Sequence, residues 1–216
     1  MVVNSHNPSA GLCIQALGYN WINGVLEKGG FFRDNKNGIW LAGDYLPVKI
    51  NPSTKDDDEK EMLDLGIKGG NVRRINSEND KLVMQVTTCI DAAKMFVLLA
   101  NEELVGNAHD STDTANAEML AMLKDGVHGH GAPSRLAEWA VPPPAFTVLH
   151  SKIGLGELKG GSCITYHRCV ASEANILQHP SGRQFVTVFQ NVNEGEGPHF
   201  HLIAEIIQRT MDNFLT

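Results

Sequence analysis

The sequence predicts an α+β fold in which helices and strands are segregated along the chain. Three observations carry this. Apolar residues recur at helical spacing in stretches down to Leu123, tight-turn residues separate β-type runs from Phe146 onward, and the tail returns to helical spacing. The 216 residues, 42% hydrophobic and 20% charged, suffice for one cored domain or one domain in two lobes. The predicted division is a mainly helical lobe over 1–144 and an antiparallel sheet with a closing helix over 145–216.

The first helix is predicted from about Pro8 to Leu26. Leu12, Ala16, Tyr19, Ile22 and Leu26 recur three and four apart, Ser5 or Asn7 is placed to cap the start, and Gly29-Gly30 ends it. From 31 to 86 the pattern weakens into a loop-rich insertion punctuated by Asn35, Gly38, Pro47, Pro52, Gly66 and Gly69-Gly70. A short helix around Lys60–Leu65 is the one regular element expected there. Thr88 then stands as an N-cap with Asp91 three residues on, a capping-box arrangement opening a broadly apolar, buried helix through Ile90, Met95, Val97 and Leu99. Another helix is predicted over Ala115–Leu123. Gly126–Pro133 breaks the pattern, and Pro142-Pro143-Pro144 stops helix and sheet alike.

Phe146–Ser151 reads as a strand, and Gly154, Gly156, Gly160 and Gly161 as a turn. Ser162–Ala171 and Ala174–Leu177 read as strand, His179–Arg183 as a tight turn, and Gln184–Val192 as the last strand. His199–Phe214 closes the chain as an amphipathic helix with Leu202, Ile203, Ile206, Ile207 and Met211 on one side.

Composition excludes several classes of function. A net charge of −7 without any Lys/Arg cluster argues against a general nucleic-acid binder. The run Asp56-Asp57-Asp58-Glu59-Lys60-Glu61 reads as a solvated surface. No stretch approaches the roughly 20 apolar residues that span a bilayer, and Met1-Val2-Val3-Asn4 has no signal-peptide character. Cys13, Cys89, Cys163 and Cys169 form no Cys-x-x-Cys pair, so reduced, buried thiols are expected. Cys163 and Cys169, evenly spaced on one predicted strand, would share a face and bridge awkwardly.

Two short motifs carry the chemistry. Ser5-His6-Asn7 precedes the first helix, in Ser5-His6-Asn7-Pro8-Ser9-Ala10-Gly11-Leu12-Cys13-Ile14-Gln15-Ala16-Leu17-Gly18, and Lys152-Ile153-Gly154 lies in Val148-Leu149-His150-Ser151-Lys152-Ile153-Gly154-Leu155-Gly156-Glu157. In this order, over nearly the whole chain, they resemble the second and third motifs (Ser-x-Asn and Lys-Thr/Ser-Gly) of the penicillin-recognising serine hydrolases, the β-lactamase-like and transpeptidase-like family. Leu177–Phe189 with its Pro-Ser-Gly-Arg turn resembles that family's last hairpin. Ile39-Trp40-Leu41-Ala42-Gly43-Asp44-Tyr45 is similar to a Trp-x-Gly-x-x-Tyr loop of relatives known only as serine hydrolases, and the Glu-x-x-Leu-Asn loop of class A lactamases is absent.

The resemblance implies a β-lactamase/transpeptidase-like fold without its first strands and nucleophile helix, acting by acyl transfer on an amide or ester in a small-molecule or peptide-like substrate. It implies catalytic roles for Ser5, relaying a proton to the leaving group, and for Lys152, placing positive charge near the substrate carboxylate. It implies substrate contacts from Asn7, from Gly154, from the backbone N–H of Leu155 as an oxyanion donor, and from Glu157 at the rim. No cofactor or metal is implied. Relatives are usually secreted or periplasmic, and this sequence itself assigns no compartment.

Two departures stand out. No serine in the chain is followed three residues later by lysine, so the family's Ser-x-x-Lys nucleophile and base are absent and are expected upstream of Met1. Ile153 replaces the hydroxyl residue that would bond the substrate carboxylate, a loss of about 1.5–3 kcal/mol for a charged partner. The chain therefore reads as an incomplete hydrolase or as a non-catalytic pseudoenzyme acting as a binding or interaction module. A homo-oligomer or partner chain is expected to cover the missing N-terminal part. A metal site is the other class considered. His128-Gly129-His130 and His199-Phe200-His201 pair histidines two apart, but neither has an acidic or third histidine ligand at a recognised spacing.

Overall fold

The computed structural model describes residues 2–3, 6–17, 19–33, 37–39, 74–76, 81–83, 87–104, 112–129, 133–162, 167–193 and 199–216. They fall into two compact units, His6–Ala92 and Ala93–Thr216, the second including Val2 and Val3.

In the first unit, two helices replace the single one predicted: α1 (Asn7–Leu17) and α2 (Tyr19–Lys28). The His6 carbonyl accepts from the Ala10 N–H at 3.2 Å, and the His6 ring bonds Ser9 Oγ at 2.7 Å. His6 thus holds the N-cap place expected for Ser5 or Asn7. Ser5 lies outside the described residues and Asn7 is already helical. Leu12 and Ala16, read as the apolar face, are exposed, whereas Leu26 is buried with Phe31.

The loop-rich excursion contains two small antiparallel pairs that the pattern did not announce. β1 (Phe32–Arg33) pairs with β2 (Asn37–Gly38), and β3 (Arg74–Asn76) with β4 (Lys81–Val83). Pairs of two or three residues are too short to show alternation. The helix expected near Lys60 and the Trp40–Tyr45 loop lie outside the described residues. At the end of this unit α3 (Cys89–Ala100) begins as anticipated: the Asp91 N–H donates to Thr88 Oγ1 at 3.1 Å, and the Thr88 hydroxyl donates to Asp91 Oδ2 at 2.5 Å. This helix is less buried than its composition suggested, with Ile90 and Val97 exposed and Leu99 in the core. Cys13 is exposed and Cys89 partly so, against the expectation of buried thiols; Cys13 and Cys89 are free.

The second unit is built on a three-stranded antiparallel sheet in the order β5-β6-β7, from β5 (Thr147–Ser162), β6 (His167–Gln178) and β7 (Gln184–Asn193). Among the described residues it is accompanied by α4 (Thr112–Gly126), the four-residue α5 (Arg135–Glu138) and α6 (His199–Leu215). Strand β5 runs straight through Gly154 and Gly156, where a turn was predicted. Glycine tolerates extended backbone as readily as turns, and the ladder to β6 holds there, Gly154 opposite Ser172 and Gly156 opposite Val170. Its register shifts between Val148 and His150 and again between Glu157 and Ser162, on either side of these glycines. Strand β6 is likewise continuous through Ser172 and Glu173, which pair with Gly154 and Ile153 of β5.

β6 and β7 join as expected through His179–Arg183. The His179 N–H donates to the Arg183 carbonyl at 2.9 Å and the Gly182 N–H to the His179 carbonyl at 2.8 Å, with Gly182 at φ +86°. This is a three-residue hairpin loop whose left-handed position selects glycine.

One sheet face packs under α6. Leu136, Ala140, Phe146, Leu177, Ala204 and Met211 form the main cluster, with Val148, Phe185 and Ile207 at its margin. A second cluster joins Ile153, Ala171 and Phe200, where Phe200 meets Trp139 edge-on at 6.0 Å. Each such large side chain contributes roughly 1.5–3 kcal/mol when fully buried. At the end of α4, a Cβ on Gly126 would lie 3.0 Å from the Ser151 carbonyl oxygen, so the bare glycine lets helix and strand approach.

Candidate functional site on strand β5

Period-two alternation divides β5 into two chemistries. Ser151 and Ile153 are buried on one face, Ile153 within the cluster formed with Ala171 and Phe200. His150, Lys152 and Gly154 occupy the alternate parity. Lys152 is opposite Ala174, Gly154 opposite Ser172, Leu155 opposite Ala171 and Glu157 opposite Cys169.

Lys152 is half-buried, and its Nζ donates to the Ile153 carbonyl at 2.5 Å. Burial holds its amine below the usual lysine range. His150, two residues earlier, is likewise lowered, first by burial and then by the positive charge of Lys124 on α4. Its Nδ1 is buried without a hydrogen-bond partner among the described residues. Two basic groups thus share a strip of β5 in which water solvates their charged forms poorly. A lysine in that state gives up its proton more readily than a solvated one, which suits proton transfer and nucleophile activation.

Behind this strip lies a carboxyl the sequence reading missed. Glu173 is buried at 2% exposure and accepts from the Ser134 hydroxyl at 2.5 Å, the Ser151 hydroxyl at 2.8 Å and the Arg135 N–H at 3.0 Å. Ser134 in turn accepts from the Ala137 N–H at 3.1 Å as N-cap of α5. Burial pushes the Glu173 carboxyl above its ordinary range, outweighing the hydrogen bonds that pull it down. The available signal was an acidic residue on the core parity of a strand bounded by Ala171 and Leu177. Arg135 is also buried, with Nη1 on the Pro133 carbonyl at 3.0 Å and its guanidinium 4.2 Å from the centre of the Trp139 ring.

Of the residues singled out from sequence, β5 brings together Lys152, Gly154 and Leu155. Glu157 follows on the same strand, its side chain outside the described residues. Ser5 is also outside them, and Asn7 is described only as the first residue of α1. Of the first histidine pair, His128 Nδ1 bonds Glu138 Oε1 at 2.5 Å, and His130 is outside the described residues. His199 and His201 lie in the first turn of α6 rather than in a loop. Two residues apart on a helix, they do not face each other. Among the described residues no group of three or more His, Cys, Asp or Glu is placed to hold a metal ion, and no helix is long and apolar enough to cross a membrane.

No protein-family model and no curated protein matches the chain. Solved structures do. A class A β-lactamase from Bacteroides cellulosilyticus superposes with a TM-score of 0.55 at 14% identity, covering 98% of this chain and 61% of the other. The TLA-3 extended-spectrum β-lactamase gives 0.55 at 13% identity, covering 100% and 62%. The fold is β-lactamase-like. At these identities the likeness concerns the fold alone, and the chain spans about three-fifths of the length of the solved β-lactamases it resembles.

Proposed function

We propose that β5 is the substrate-binding wall of a serine-hydrolase-type acyl-transfer site. Lys152 supplies a partly desolvated amine, Gly154 lets the acyl group approach the backbone, and the Leu155 N–H donates to the carbonyl oxygen. The observation that carries this reading is the half-buried Lys152, two residues before a glycine on an edge strand of a β-lactamase-like sheet. The Ser5-His6-Asn7 motif enters from sequence alone. Because these 216 residues contain no Ser-x-x-Lys, the chain by itself binds such acyl compounds without forming an acyl-enzyme.

Titration of ¹⁵N-labelled chain with benzylpenicillin tests this, alongside intact-mass measurement after exposure to penicillin and to a fluorophosphonate. Saturable shifts at the Gly154 and Leu155 amides, lost in Lys152→Ala, with no mass adduct, are expected. Absence of shifts, or shifts that Lys152→Ala leaves unchanged, would overturn it.

A second reading, a binding module that does not select carboxylates, is favoured by Ile153. Its side chain is buried in the core, so the residue after Lys152 offers no hydroxyl to a ligand. Equal binding of carboxylated and neutral acyl compounds would support this version.

A further inference from the structure

Strand β5 reaches Lys152 just after its register with β6 shifts between Val148 and His150. A side-chain anchor at that point supplements the ladder, and Ser151 provides one. Directly across from it stands Asn175, fully buried, whose carboxamide makes no hydrogen bond among the described residues. The Ser151 hydroxyl goes instead to Glu173 Oε1 at 2.8 Å, on the diagonal.

The same oxygen gathers a second element. The Ser134 hydroxyl donates to it at 2.5 Å, and the Ser134 N–H donates to the Val127 carbonyl at 2.9 Å. Val127 directly follows α4, whose last residue, Gly126, lies so close that a Cβ there would be 3.0 Å from the Ser151 carbonyl oxygen. Ser151 is thus anchored at its side chain and backed at its carbonyl by residues near the end of α4 and the start of α5. The Lys124 charge that bears on His150 comes from the last turn of the same α4.

We propose that Glu173 is a positioning residue for the Lys152–Leu155 wall, acting through Ser151 and touching no ligand itself. Calling that wall a binding site rests on the acyl-transfer reading above; the positioning does not. The chemistry suits the task. A carboxyl has two oxygens, each with two lone pairs, so one oxygen takes both serine hydroxyls while the other takes the Arg135 N–H at 3.0 Å. Ser151 and Glu173 are each 2% exposed, so water competes little for their bond. Successive strand residues rise about 3.3 Å apart along a stiff backbone, so a displacement of Ser151 passes directly to Lys152 and lets water reach its amine.

The test needs no ligand. Titration of Lys152, followed at its ¹³Cε resonance in the whole chain, reads how far the amine is withdrawn from water. Burial holds that amine below the usual lysine range, so releasing the anchor moves the midpoint upward. Ser151→Ala cuts only the β5 link and leaves Glu173 its bonds to Ser134 and Arg135, so the fold is retained. An upward shift is expected in Ser151→Ala and in Glu173→Ala, and the double variant should move no further than Glu173→Ala alone. Glu173→Gln, which keeps a hydrogen-bonding head group, should hold most of the wild-type value. Thr88→Ala, a destabilising change in α3, should leave the midpoint in place. A midpoint unmoved in Ser151→Ala overturns the proposal. So does one that Thr88→Ala moves equally, since the cause is then lost stability alone. Absence of benzylpenicillin binding alongside the expected shifts overturns only the acyl-transfer reading.

Discussion

Ser151 and Glu173 are bonded diagonally across the β5–β6 pair. In the register Ser151 faces Asn175 and Glu173 faces Ile153, yet the Ser151 hydroxyl reaches Glu173 Oε1 at 2.8 Å. The same oxygen takes the Ser134 hydroxyl. One carboxyl thus fixes the residue before Lys152 to the start of α5, and the proposed site inherits its rigidity from a group that cannot touch a ligand.

Glu173→Ala leaves two hydroxyls and the Arg135 N–H without their buried acceptor. It is expected to lower unfolding free energy by about 3 kcal/mol, read by urea denaturation. Glu173→Gln gives the pH dependence. The folded carboxyl titrates above its unfolded value, so its contribution is fully present below the unfolded pKa and is lost as pH rises through the folded one. The stability gap between wild type and Glu173→Gln should therefore narrow as pH rises. A gap that widens contradicts the assignment.

Asp212 behaves in the opposite sense. The His179 Nε2 bond at 2.9 Å and the Gln208 amide hold its carboxyl below the ordinary range. Its contribution is present above the unfolded pKa and lost as pH falls through the folded one. The thermal midpoint of Asp212→Asn should lie below wild type at neutral pH and converge with it in acid. The same variant should admit protease more readily at the His179–Arg183 turn.

Gly126→Ala pits helix propensity, about 1 kcal/mol in favour of alanine, against a Cβ 3.0 Å from the Ser151 carbonyl. The oxygen belongs to a paired strand and yields little, so crowding of about 1–3 kcal/mol prevails. Net destabilisation in urea is expected, together with shifted Ser151 and Lys152 amide resonances. A stabilised variant would show that α4 moves away freely.

Thr88→Ala removes the acceptor of the Asp91 N–H at the start of α3. A loss of about 1 kcal/mol is expected by chemical denaturation, and Thr88→Ser should recover most of it.

What the sequence made legible was local. Thr88 and Asp91 are three residues apart, and a capping box is written in that spacing. The His179–Arg183 turn was equally plain, because proline and glycine restrict a short loop to few shapes. The misreadings share a cause. Gly154 and Gly156 look like a turn when read alone, and only pairing with Ser172 and Val170 makes them strand. Glu173 was invisible because its donors lie 22 and 39 residues away in sequence. Lys152 was found through its motif, but its desolvation depends on neighbours that no motif encodes.

The four residues of α5 draw one more consequence from the Glu173 carboxyl. So short a helix cannot persist unaided, since nucleation alone outweighs its few hydrogen bonds. Its first turn is held by an oxygen from β6 that arrives only once β5 and β6 have paired. The stability of α5 is therefore coupled to the β5–β6 hairpin, and any opening of that hairpin withdraws the acceptor on which its first turn depends.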